Sequence, residues 1–368
     1  MKKVLILSQP LHTNYGGLLQ AYALQKVVRS LGFDVKTDRI GLRQNVSPLH
    51  PSNMTRLIKN TVKNIIGYNK KSKIIAQHTD RFIDKHIKTA KISYLTDRQI
   101  NKYDIFIVGS DQVFRKPYSC VRKYFLEDLK DRDDKIKIAY SASFGVEDLS
   151  EWTKEDIRVC KTLALKFNAV SVREDTGVEI FRNVFQTQAK HVLDPTMLLN
   201  KEDYLEVIEP EDKTERDNIL MCYILDKTED KQKVIDTVKD KLKLTPLEIM
   251  PEQRLTKQTK DVTKCIFPSV SKWIAGFRDA KFVVTDSFHG TVFAIIFNKP
   301  FICMANKERG LTRFTSLLKI FDLQNRMIYS RSELTDYMIS MMDFTAINSR
   351  RKTLQSDAIE WLKENLKV

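Results

Sequence analysis

No long apolar run occurs in this chain of 368 residues. A membrane-spanning helix needs ~20 consecutive apolar residues, and no window approaches that length. The run from Val4 to Leu7 stops at Ser8, too short for the apolar core of a secretory leader, so a cytoplasmic protein is expected. Cysteine is scarce and scattered. Cys120, Cys160, Cys222, Cys265 and Cys303 show no CxxC spacing, which points away from a zinc site or a disulfide framework and towards free, mostly buried thiols. With only 11 glycines and 10 prolines and a hydrophobic content of 42%, the chain is globular rather than disordered. No His, Asp and Glu cluster has metal-ligand spacing, so no tightly bound metal is expected. No G-x-G-x-x-G run supports a dinucleotide site, and there is no internal repeat.

Positive charge is abundant. Lys and Arg number 62 against 47 Asp and Glu, a net charge of +15, which implies acidic partners: nucleic acid, an anionic membrane surface or phosphorylated substrates. Clustered aromatic and basic residues are missing, which argues against nucleic acid. At ~150 residues per domain, the length suggests two domains.

The most informative stretch runs from Phe282 to Phe301. Phe282 to Val284 reads as a buried strand, and Phe301 to Met304, after Pro300, as the next. Between them Val292, Phe293, Ile295, Ile296 and Phe297 are apolar nearly all round, as in an interior helix whose first turn begins at Ser287 to Gly290. Unpaired N–H groups and the helix dipole favour an anion there, beside His289. The chain start is also strand, turn, helix: Val4 to Leu7, a polar turn to Gly17, then Leu18 to Leu31 at helical spacing, followed by Gly32 and a strand at Phe33 to Thr37. Gly16 and Gly17, after Asn14, let the backbone approach a ligand or let helix and strand pack closely.

Residues 49–101 read as a basic helical insertion without a strong strand. Strands then recur at Tyr103 to Gly109, Lys135 to Tyr140 and Ala169 to Val172. They end in the polar clusters Ser110-Asp111-Gln112, Ser141 to Gly145 and Arg173-Glu174, and His191 to Thr196 forms another. In an open α/β sheet such ends line one crevice. Charged Glu209 to Asn218, with Pro210, is the expected linker. A second α/β series follows: strand Ile219 to Leu225, a helix from Thr228 to Lys243, strand Leu247 to Met250 and a helix from Ser271 to Asp279 precede the Phe282 stretch. The expected division is an α/β domain at 1–208, a second at 218–345, and an amphipathic helix at 346–368 packing back across both. The two Rossmann-like domains face a central cleft.

Six segments in order resemble the polysaccharide pyruvyl transferases: Asn14 to Ala23, Val108 to Val113, Ser141 to Gly145, Ser171-Val172-Arg173-Glu174, Leu193 to Thr196, and Thr285 to Thr291 around His289-Gly290. The resemblance spans about residues 1 to 315 and implies a fold like the GT-B glycosyltransferases. It also implies transfer of the enolpyruvyl unit of phosphoenolpyruvate onto a sugar as a cyclic ketal, with release of phosphate. His289 and Arg173 match the His and Arg that the family associates with activity and phosphoenolpyruvate recognition. The resemblance further implies an acceptor side in the first domain, a phosphoenolpyruvate side in the second, and no cofactor beyond that donor.

Ketal formation needs a general acid, a base and an anion cradle. His289 is either the proton donor or an imidazolium holding phosphate, with Ser287 and Gly290 at the same helix start. Arg173 reads as a clamp or as a partner of Glu174 or Asp175, and Arg309 and Arg313 as second clamps or a solvated loop. Asp111 and Asp286 are the carboxylates best placed to activate a hydroxyl, unless they cap helices or brace an arginine or His289. Asp194, before Pro195, reads as turn structure. Asn14, Gly16 and Gly17 shape the acceptor side. The basic surplus suits a sugar carried on a polyprenyl diphosphate at the inner face of an anionic membrane, in capsule or exopolysaccharide assembly. The competing readings are a GT-B glycosyltransferase using a nucleotide sugar and a basic nucleic-acid-binding protein.

Overall fold

A computed structural model describes residues 1–42, 68–212, 216–256, 258–305 and 310–367. The strands are β1 (Lys3–Leu7), β2 (Asp34–Asp38), β3 (Thr89–Ala90), β4 (Ile105–Val108), β5 (Ile136–Ala142), β6 (Ala169–Val172), β7 (Lys190–His191), β8 (Ile219–Tyr223), β9 (Thr245–Glu248), β10 (Ala280–Thr285), β11 (Phe301–Met304) and β12 (Met327–Ile328). They form two sheets with the orders β3-β2-β1-β4-β5-β6-β7 and β12-β11-β10-β8-β9. Every pairing is parallel. Strands covered on both faces need continuous apolar runs, and Ile105–Val108, Ile219–Tyr223 and Phe301–Met304 are buried throughout.

The longer helices are α1 (Tyr15–Ser30), α2 (Tyr68–Ile75), α3 (Gln77–His86), α4 (Lys154–Ala164), α5 (Asp175–Asn183), α6 (Glu229–Leu242), α7 (Val270–Asp279), α8 (Phe288–Ile296), α9 (Thr312–Ile320) and α10 (Thr345–Leu366). Among the described residues, no helix is long and apolar enough to cross a membrane. One apolar core runs through both halves. Tyr15 of α1 stacks on Trp273 of α7 at 5.6 Å, and Tyr204 meets Phe293 of α8 at 4.9 Å. α10 touches both sheets' surroundings: Trp361 lies 6.0 Å from Tyr140, Gln355 donates to the Leu198 carbonyl at 2.7 Å, and Arg350 reaches the Ile320 carbonyl at 2.6 Å.

Two expectations are corrected. Within 49–101, of which 43–67 lie outside the described residues, α2 and α3 are accompanied by β3, which extends the first sheet. The open edge of β2 demands partners, and its Thr37 N–H and the following Arg39 N–H donate to Lys88 and Ala90 at 2.9 and 2.8 Å. The strand expected at Leu247 begins instead at Thr245 and includes Pro246, which a sheet edge tolerates because no donor is needed on its outer side.

Candidate functional site

The C-terminal ends of β4, β6 and β7 bring Asp111, Arg173 and Asp194 to the edge of the first sheet, where the α8 N-terminus arrives from the second. Asp194 is the hub. Its Oδ1 accepts from the Thr196 N–H at 3.0 Å and the Thr196 hydroxyl at 2.6 Å, a local turn. Its Oδ2 accepts from Arg173 at 2.8 Å and from the Gln20 amide of α1, and lies 3.7 Å from His289 Nε2. That last spacing suits an ion pair and exceeds a hydrogen bond. Burial alone would raise the Asp194 pKa, but His289, Arg173 and Thr196 hold it far below the usual carboxylate range.

His289 reaches this position because Gly16 has no side chain. A Cβ on Gly16 would fall 2.0 Å from His289 Nδ1, so the ring lies directly on the α1 backbone. The ring is thus held between Gly16 and Asp194, one from each side of a helix start and a strand end of the first half.

Arg173, whose side chain is 1% exposed, also lies 3.4 Å from Asp111 Oδ1 and 3.7 Å from Glu174. Against burial, Asp194 first and then Asp111 and Glu174 hold its proton more tightly than usual. Its guanidinium stands 4.8 Å from the centre of the Phe288 ring, and Arg313 of α9 stands 5.6 Å from the same ring. Burial, reinforced by Arg173, pulls the pKa of Arg313 down to about 10. Burial also pushes Glu174 up, against Arg173 and the Ser143 hydroxyl that donates to it. The result is two buried guanidiniums flanking one aromatic ring, with an imidazole beside them and the carboxylates of Asp111, Glu174 and Asp194 balancing their charge.

Asp111 receives Asn14 Nδ2 at 3.4 Å, and a Cβ on Gly17 would lie 3.2 Å from that amide, so the Asn14 to Gly17 turn abuts the same carboxylate. Ser287 and Gly290 stand at the start of α8, as expected. Ser287 Oγ caps α8 by accepting the Gly290 N–H at 3.4 Å, and a Cβ on Gly290 would fall 2.1 Å from Thr285 Oγ1. Gly290 is therefore explained by packing on β10, and the Ser287 oxygen by capping. Arg309 lies outside the described residues. Asp286 is a structural staple, accepting from the Leu225 and Asp226 N–H groups at 2.6 and 3.0 Å and from Lys231 at 2.6 Å. Among the described residues, no group of three or more His, Cys, Asp and Glu could hold a metal ion.

Sequence reasoning missed Asp194 and Gln20. Gln20 gave a signal: a polar side chain among Leu18, Leu19, Ala21 and Tyr22, one turn after Gly16 and so on the same face. Its amide donates to Ser110 Oγ at 3.1 Å as well as to Asp194.

Two parallel α/β sheets whose strand ends converge on one polar cluster define a GT-B-type architecture. The Staphylococcus aureus MnaA–UDP co-structure matches with a TM-score of 0.51 at 10% identity, over 100% of this chain and 96% of that one. UDP-GlcNAc 2-epimerase from Neisseria meningitidis bound to UDP-GlcNAc matches at 0.49 and 10% identity over 99% of each chain. The first of these likenesses, at 10% identity, speaks for the fold alone. The profile of the family described as polysaccharide pyruvyl transferase matches residues 14–308, and the chain belongs to that family of transferases. No protein of curated function matches it.

Proposed function

We propose that this transferase moves the enolpyruvyl unit of phosphoenolpyruvate onto two hydroxyls of a sugar, forming a cyclic pyruvate ketal with release of phosphate. The observation that carries this reading is the pair Arg173 and Arg313 flanking Phe288 beside the Asp194–His289 contact. A carboxylate and a phosphate on one small molecule are the natural partners of two buried guanidiniums.

His289, its Nε2 3.7 Å from Asp194, delivers a proton to the methylene carbon, which makes the adjacent carbon electrophilic. Asp111, oriented by Asn14, takes the proton from the first sugar hydroxyl as its oxygen bonds to that carbon. The bond to the phosphate oxygen breaks, and the second hydroxyl closes the ring. One of the two hydroxyl protons replaces the one spent on the methyl group and the other leaves with phosphate. The acceptor enters beside Asn14, Gly16 and Gly17. The charge of +15 supports an acceptor on a polyprenyl diphosphate at the inner, anionic membrane face, in capsule or exopolysaccharide assembly.

The test is incubation with phosphoenolpyruvate and a panel of lipid-linked and aryl glycosides, following phosphate release together with the mass gain of a ketal. No ketal on any galactosyl, glucosyl or mannosaminyl acceptor sinks the reading. Thermal stabilisation by uridine diphosphate but not by phosphoenolpyruvate would replace it with nucleotide-sugar chemistry.

A further inference from the structure

α9 belongs to the second half of the molecule, yet its inner face is fastened to the first. The buried Ser316 hydroxyl donates to Asp175 Oδ1 at 2.6 Å and accepts the Asp175 N–H at 3.1 Å. Lys319 adds an ion pair to Asp175 Oδ2 at 3.2 Å. Asp175 opens α5 directly after Arg173 and Glu174, so the fastening point and the site share one strand end. Arg313 stands one turn before Ser316 on the same face of α9. Just ahead of the helix, a Cβ on Gly310 would fall 2.0 Å from the Gly145 carbonyl oxygen, a second seam between the halves.

Seating α9 brings the Arg313 guanidinium up to Arg173 around the shared Phe288 ring, at 5.6 and 4.8 Å from its centre. Asp111 and Glu174, 3.4 and 3.7 Å from Arg173, offset the repulsion between the two cations, and the Ser316–Asp175 contact fixes α9 against them. The low pKa of Arg313, about 10, agrees with burial beside another cation.

We propose that α9 is a clasp: Ser316, as a positioning residue, seats the helix on Asp175 and so delivers Arg313 to the donor anion, which couples anion binding to closing of the two halves. The inference rests on phosphoenolpyruvate as donor, and the clasp itself can be read without it. Hydrogen exchange of peptides covering residues 312–320 is measured in the full chain, free and with phosphoenolpyruvate or inorganic phosphate, for wild type, Ser316→Ala and Ser316→Thr.

The expected result is about tenfold faster exchange in the free Ala variant, restored by Thr. Phosphoenolpyruvate slows exchange in wild type. KM for phosphoenolpyruvate rises about tenfold in Ser316→Ala while kcat and melting temperature stay near wild type, a split that general destabilisation would not produce. Unchanged exchange in the Ala variant overturns the clasp whatever the donor is. Faster exchange in that variant, with turnover of phosphoenolpyruvate but no protection by it, overturns the coupling alone. Neither protection nor turnover overturns the donor reading and the coupling together, leaving the Ser316 fastening. Protection by phosphate equal to that by phosphoenolpyruvate assigns Arg313 to the phosphoryl end.

Discussion

Two buried aspartates stand at matching places, Asp194 just past β7 in the first sheet and Asp286 just past β10 in the second. Exposure does not separate them, at 3% and 0%. Their partners do. Asp286 is enclosed by two backbone N–H groups and Lys231, all from its own half and at 2.6 to 3.0 Å. Asp194 satisfies one oxygen within its own turn and turns the other towards Gln20, Arg173 and His289, from three different elements in both halves. A closed set of local donors makes a staple. Donors that converge from separate elements make a place where charge can be handled.

Substituting the two carboxylates tests that distinction most severely. Asp194→Asn is expected to lower turnover about 10³- to 10⁴-fold, since His289 loses the carboxylate 3.7 Å from its Nε2 and Arg173 loses its nearest one. Asp286→Asn leaves the buried Lys231 ammonium the Asp226 carbonyl at 2.8 Å but no counter-charge, and is expected to cost about 3–5 kcal/mol of stability while the folded fraction keeps its turnover. Urea melts with turnover corrected for folded fraction separate the outcomes, and near-normal turnover in Asp194→Asn would erase the contrast. His289→Ala should lose about 10²- to 10⁴-fold in turnover with a small change in melting temperature. Arg173→Ala should also destabilise, because Asp111, Glu174 and Asp194 would stay buried without it.

The glycines beside these residues allow a gentler comparison. Gly16→Ala would set a methyl group 2.0 Å from His289 Nδ1 and push the ring off Asp194, so turnover of the folded fraction should fall about 10- to 100-fold, alongside an overpacking cost of about 1–3 kcal/mol. Gly290→Ala meets Thr285 Oγ1 at 2.1 Å, a side chain already hydrogen-bonded to the Tyr223 carbonyl at 2.7 Å. It should cost about 1–3 kcal/mol of stability by overpacking, with turnover kept within a few-fold. Reversed outcomes would mean that Gly290, and not Gly16, shapes the site.

The same contrast explains what was legible in the sequence. The strands announced themselves because a parallel sheet buries both faces, so runs such as Ile105–Val108 and Phe301–Met304 can only be apolar. The α8 start was readable from Ser287, whose capping oxygen acts within three residues. Asp194 was readable only in its local role: Asp-Pro-Thr does form a turn, and the Thr196 contacts are there. Its pairing with Gln20 crosses 174 residues, and no local pattern encodes that. Arg173 beside Glu174 was equally ambiguous, and the structure gives it both that neighbour and two distant carboxylates. β3 escaped because two residues carry no periodicity; the need of β2 for a partner made it a strand.

The smallest effect sets Asp194 against Glu174, two buried carboxyls on one guanidinium with opposite titration. Asp194 is depressed by His289, Arg173 and Thr196, so its contribution to stability is complete above the unfolded value of ~3.9 and is lost as pH falls towards its folded value. Glu174 is raised by burial, so the folded state holds its proton more tightly than the unfolded chain does, and stability drains away as pH climbs from ~4.3 through the folded value. Asp194→Asn should therefore flatten the acid limb of a stability–pH curve from urea melts. Glu174→Gln, which keeps an acceptor for Ser143, should remove the loss of stability that sets in as pH climbs above ~4.3. Parallel curves for both variants would mean that the two carboxyls titrate as one unit around Arg173, and the contrast between a charge-handling aspartate and its structural neighbours would then have to be drawn at the level of the whole cluster.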